Sequence, residues 1–144
     1  MMLSEHFSLA EMTASATARA RGLLNQPNTT QTKALTALCV NVLEPVRKHF
    51  RRPVRVTSGF RCFTPASQHA KGEAADFEVA GVPNIEVARW IRDNLVFDQL
   101  ILEAWSATDA NAGWIHCSFR VDRARKSVLR TPTGGAPYST GLPK

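Results

Sequence analysis

The sequence predicts an α+β fold, in which N-terminal helices pack on one face of a small, mainly antiparallel sheet and a cleft lies on the other. Three observations carry this. Apolar residues recur at helical spacing through the first third of the chain. Short stretches of alternating apolar and polar residues follow, with one further helical stretch inserted among them. The chain has 144 residues, with 44% hydrophobic and 21% charged residues, which suits one globular domain with its own core.

Taken in order, Ser8 and Glu11 form a capping box that opens a short helix reaching about Ala20. Asn25, Gln26, Pro27 and Asn28 mark a turn. Thr29 or Thr30 then caps a long helix whose Leu35, Leu38, Val42, Leu43, Val46 and Phe50 share one face, and Pro45 should kink or divide it. Residues 54–57 read as a strand, 58–72 as a loop and 74–79 as a strand. Asn84 caps a helix carrying Ile85, Ala88, Trp90, Ile91 and Leu95. Residues 97–104 and 114–121 read as strands on either side of a loop at 106–113. Residues 1–130 form the domain. Residues 131–144, rich in Gly, Pro, Ser and Thr, read as a flexible tail. No internal repeat is visible.

The net charge is +6, and the basic residues gather at Arg47–Arg55 and Arg120–Arg130. Such a surface favours polyanions, but no basic run alternates with aromatics, so both clusters read as solvated faces and no nucleic-acid partner is expected. Cys39, Cys62 and Cys117 form no disulfide framework. No apolar run is long enough to span a bilayer, so no membrane anchor is expected. The first residues lack a charged, then apolar, leader pattern, which predicts synthesis in the cytoplasm without a signal peptide. The expected state is a monomer.

His6 and His49 have no polar company that suggests a site. His69 and His116 differ. Alternation puts Trp114, His116 and Ser118 on one face of their strand, and Ala74, Asp76 and Glu78 on one face of theirs. If the apolar faces turn to the helices, Asp76 and His116 point out of the sheet together, toward the loop that carries His69. Two imidazoles and a carboxylate are the ligand set of many catalytic zinc sites, with a fourth position left for water. Zinc lowers that water's pKa toward about 7 and polarises a carbonyl. On periodicity alone, satisfied polar residues remain the alternative.

The pattern Ser67-x-His69-x-x-Gly72-x-Ala74-x-Asp76, followed by Trp114-x-His116, resembles the D-Ala-D-Ala metallopeptidase family, zinc carboxypeptidases and endolysins acting on peptidoglycan with a hedgehog-like zinc fold. Ser58-Gly59-Phe60-Arg61 resembles another family element. Phe7–Glu11, Leu43–Arg47 and Phe97–Glu103 are similar to its small, phage-associated branch. The resemblance implies zinc (Zn2+) bound by His69, Asp76 and His116, with the cleft on the sheet face away from the helices. Arg61 would hold a substrate carboxylate or the developing oxyanion, with a buried ion pair as its plain structural alternative. Ser67 would cap the loop or bond a ligand's second nitrogen. Ser67, Trp114 and Ser118 are candidates to orient a metal ligand or to touch substrate, Ser118 the most structural of them.

Many family members carry an acidic residue three positions before the second His, where this chain has Gly113. Glu103 is the substitute general base, since Gln99, Ile101 and Glu103 share a face; Asp109 is the second choice. The segment 62–66 is shorter than in relatives. The implied activity is hydrolysis of peptidoglycan stem peptides by a D,D-carboxypeptidase or an endopeptidase, acting on the cell wall after release or carried in a phage particle. The alternative is a catalytically weak zinc-binding or wall-binding module of the same fold, favoured by Gly113 and the short loop.

Overall fold

A computed structural model describes residues 1–135 and 137–144. The first helical stretch is two short helices, α1 (Leu9–Thr13) and α2 (Ala16–Ala20). The Ser8/Glu11 capping box starts α1, with both reciprocal bonds formed. Ser15 caps α2 by accepting from the Ala18 amide.

Helix α3 (Thr29–Leu38) begins one residue before the sequence expectation, because Asn28, not Thr29 or Thr30, is its cap. Asn28 accepts from the Gln31 amide at 2.8 Å, and Gln31 reaches back to the Asn28 amide at 2.8 Å. Its carboxamide thereby leaves both threonines inside the first turn. The chain then stays helical through a π-helical turn, Cys39–Leu43, into α4 (Glu44–Phe50). Pro45 has no amide hydrogen to donate. The helix absorbs that defect by widening, the Glu44 amide bonding back five residues to Cys39. The expected break is therefore a bulge.

Strand β1 (Val54–Ser58) leads to a loop with one 3-10 turn at Gln68–Lys71, then β2 (Ala74–Val79), α5 (Asn84–Asn94), β3 (Gln99–Trp105) and β4 (Trp114–Ser118). Asn84 does not cap α5. Pro83 occupies the cap position, while the Asn84 amide group donates to Glu78 and to the carbonyls of Ala112 and Gly113. Residues 127–130, given no element by the sequence, join the first two residues of the expected tail in β5 (Ser127–Pro132), and the tail adds β6 (Ser139–Thr140). Val128 and Leu129, the apolar residues of β5, pair with Leu100 and Ile101 of β3.

The six-stranded sheet runs β1-β2-β4-β3-β5-β6. All pairings are antiparallel except β3 with β5. One face carries Ala75, Phe77, Val79, Leu100, Leu102, Ile115 and Cys117, which pack with Leu35, Leu38, Val42 and Val46 from the long helix and Val87, Ala88 and Ile91 from α5 in a single buried core. Both α3–α4 and α5 therefore cover the same side. Period-2 alternation leaves Asp76, His116, Ile101 and Glu103 on the opposite side. Cys39 and Cys117 are buried thiols, as expected, and burial pushes Cys39 up to about 12. His49 stacks on Trp90 with ring centroids 4.3 Å apart, and His6 pairs with Glu44 at 2.8 Å. Both are structural.

Candidate metal centre

Asp76 on β2 sits directly across from His116 on β4, and His116 lies across from Ile101 on β3. Directly opposed residues hold their Cβ atoms about 5 Å apart, so strand register alone brings the carboxylate and one imidazole together. His69 arrives from the 3-10 turn. Ser67 caps that turn by accepting from the His69 amide at 3.1 Å, and Gly72 closes it in the left-handed region at φ 74°.

His69 is buried. Its Nδ1 lies 2.7 Å from the Gly59 carbonyl oxygen. A carbonyl only accepts, so Nδ1 carries a proton and Nε2 is the nitrogen left to face Asp76. That Nε2 is buried without a hydrogen-bond partner and stands 3.4 Å from Asp76 Oδ1. His116 Nδ1 is 3.0 Å from the same oxygen, and the two rings lie 5.1 Å apart at 63°. Two nitrogens converging on one carboxylate oxygen, one of them buried and unpartnered, is costly unless a cation sits among them.

The three side chains fit a metal on distance as well. Their donor atoms lie within 4.8 Å of one another. A tetrahedral zinc ion with bonds of about 2.0–2.1 Å sets its donors about 3.3 Å apart, close to the 3.0 and 3.4 Å found here. Burial alone would push the Asp76 carboxyl up, but the neighbouring imidazoles of His116 and His69 outweigh it and hold the group well below the usual carboxylate range. Asp76 is therefore ionised across the neutral range, as a ligand must be. The cleft above these atoms has a volume of about 530 Å³, and its walls include Arg61, Glu103, Trp114 and Tyr138.

Residues 5–118 match the family model described as Peptidase M15. The chain belongs to the peptidase M15 family. It is thereby a member of a hydrolase family, and its His69, Asp76 and His116 cluster is of the kind that can hold that family's metal. No curated protein shows significant similarity to the chain.

Around this M15 centre, Arg61 lines the cleft with its Nε buried and without a partner. Its backbone amide donates to the His69 carbonyl at 3.2 Å. Among the described residues it makes no ion pair, so the structural alternative for Arg61 finds no partner. Ser67 takes the capping role and not the imidazole-binding one, since the second nitrogen of His69 goes to Gly59. Trp114 is partly exposed on the cleft wall. Ser118 does not line the cleft. It is fully buried and accepts from the Gln99 amide at 3.0 Å, a bond between the ends of β4 and β3.

Glu103 lies in the cleft beside its β4 partner Trp114. Burial raises its pKa, against the charge of His116 and a hydrogen bond from Thr131. Asp109 sits in an exposed loop where its Oδ1 accepts from the Asn111 amide at 2.9 Å, and it is not among the residues lining the cleft.

Three residues of the site escaped sequence reasoning. Tyr138 lines the cleft from the segment read as tail. Gln68 and Arg125 line it too, both anchored to Asp98, a fully buried carboxylate. An apolar-strand context around a lone Asp at position 98 was the available signal, because a carboxylate there needs cationic partners.

Proposed function

We propose that the chain is a zinc peptidase that hydrolyses peptide bonds in peptidoglycan stem peptides, as a D,D-carboxypeptidase or an endopeptidase. The observation that supports this best is the convergence of His69 Nε2, His116 Nδ1 and Asp76 Oδ1 at one end of a cleft that also contains a carboxylate and a guanidinium. Zinc held there supplies a Lewis acid for the scissile carbonyl and a nucleophilic water at neutral pH.

The chain's own groups do the rest. Glu103 accepts the proton of the attacking water and returns it to the leaving amine nitrogen, and the raised pKa that burial gives it suits both halves of that task. Arg61, whose buried Nε has no partner in the protein, donates to the oxyanion or to a substrate carboxylate. Trp114 offers an apolar wall to the peptide. The +6 net charge favours approach to an anionic wall polymer. Action after release across the host membrane, or from a phage particle, is part of the same proposal.

The test is mass spectrometry of purified muropeptides incubated with the zinc-loaded protein, with and without chelator. Loss of a terminal residue identifies an exopeptidase, and separation of cross-linked stems an endopeptidase. A product that forms equally in chelator rejects the zinc mechanism.

A further inference from the structure

The family match ends at residue 118, yet the carboxylate read as the base is held by residues beyond it. We propose that the C-terminal β5–β6 segment completes the site, with Thr131 as a positioning residue that fixes the Glu103 carboxylate in the cleft and Tyr138 as its auxiliary. This rests on the reading of Glu103 as the proton acceptor.

Thr131 is buried, 1% exposed. Its Oγ1 accepts from the Ala104 amide at 2.8 Å and donates to Glu103 Oε2 at 3.2 Å. The direction of both bonds is decided, because an amide only donates and the hydroxyl has a single proton. Thr131 therefore presents a donor to Glu103 and to nothing else. Its branched Cβ restricts the rotamers through which that donor can wander.

The backbone around Glu103 is shaped to receive this bond. Ala104 has φ 51°, left-handed for a residue with a side chain, a conformation that persists only where the surroundings enforce it. The β3–β5 register shifts between Leu102 and Trp105, so Glu103 sits at a bulge, a feature that re-aims side chains near active sites. The bulge turns the Ala104 amide out of the ladder, and Thr131 takes it. From the other side Gly113 presses on the bulge, and a Cβ there would overlap the carbonyl oxygens of Glu103 and Ala104. The position where relatives often carry an acid is thus closed by contact with the strand that bears Glu103. Tyr138 lines the same cleft as Glu103, reaching it from the β5–β6 connection.

The test uses the full zinc-loaded chain with Thr131→Val, Thr131→Ser, Tyr138→Phe and Glu103→Gln. Valine replaces the hydroxyl by a methyl of similar volume. We expect kcat to fall about 10- to 100-fold in Thr131→Val, the range for removing a group that orients a catalytic one, with KM and zinc stoichiometry unchanged. Thr131→Ser should recover most of the rate, and Tyr138→Phe should show a smaller loss of the same kind. Independently of activity, hydrogen exchange at the Ala104 amide should accelerate in Thr131→Val and not in Thr131→Ser. A Glu103→Gln protein without activity, beside a Thr131→Val protein at the wild-type rate, overturns the inference alone. Full activity in Glu103→Gln overturns the underlying reading, and the inference with it. If Thr131→Val does not fold, Thr131→Ala is measured in its place, and a wild-type kcat there rejects the proposal.

Discussion

Asp98→Asn should destabilise the protein by about 3 kcal/mol at pH 6, although Asp98 does not line the cleft. The Asp98 side chain is fully buried. Its Oδ1 accepts from Arg125 Nε at 2.9 Å, from Arg123 Nε at 3.2 Å and from the Arg125 amide at 3.2 Å. Its Oδ2 accepts from Arg123 Nη2, Arg125 Nη2 and Gln68 Nε2, each at 2.9 Å. Asparagine keeps one oxygen and turns two amide hydrogens toward donors. Breaking a buried ion pair costs about 3–5 kcal/mol, and the two guanidiniums, 42% and 46% exposed, keep enough water to place this case at the lower end. For a chain of this size that corresponds to a fall in Tm of about 6–12 °C. The effect has a pH signature. The bonds from Arg125 and Arg123, against burial, hold the Asp98 carboxyl well below its ordinary range. A depressed folded pKa gives stability that is present above the unfolded value of about 3.9 and is lost as pH falls toward the folded one. Urea unfolding of both proteins at pH 6, 4 and 3 should therefore show the gap narrowing as pH falls. A gap below about 1 kcal/mol at pH 6, or one that does not change with pH, refutes the reasoning.

Three further outcomes follow from the same geometry. Zinc at about 100 times its Kd should raise unfolding stability by about 2.7 kcal/mol, and His116→Ala should abolish that increment, as read by calorimetry with and without chelator; an equal increment in the variant would exclude His116 as a ligand. Asn25→Ala should cost about 1–3 kcal/mol, because its amide donates to the Thr13 and Phe60 carbonyls at 2.8 and 2.7 Å and its oxygen accepts from the Cys62 amide at 2.9 Å; a chemical melt within experimental error of the parent would contradict this. Leu35→Ala, at a fully buried position under the 3-10 turn, should cost about 2–5 kcal/mol, and retention of parental stability would show that the core closes over the void.

The parts of the fold that were legible in the sequence are those governed by period. Strand alternation put Asp76 with Glu78, His116 with Trp114 and Glu103 with Ile101, and each set lies on the expected face. The Ser8 capping box was readable because it is a local, four-residue event. Choices among near-equivalent polar residues were not. Asn28 outcompetes Thr29 and Thr30 for one helix end, and Asn84 leaves the helix end to bond the carbonyls of Ala112 and Gly113, a partner set 28 and 29 positions away. Nothing local encodes that preference. The same holds for His69 Nδ1, whose carbonyl partner at Gly59 decides which nitrogen faces Asp76.

The division between the ligands and the base has a topological reason. His116 and Asp76 sit on β4 and β2, strands flanked on both sides within the sheet, so their geometry is secured by ladders on either side. Glu103 is on β3, which without β5 would be the sheet's edge. A bulged edge strand opens its amides to water, and its side chains lose a fixed direction. Parallel pairing with β5 removes that edge and brings the Thr131 hydroxyl to the Ala104 amide that the bulge has freed. A strand that straddles the expected boundary between domain and tail is thus the element that lets a carboxylate on β3 stand where Gly113 leaves no room for one on the loop before β4.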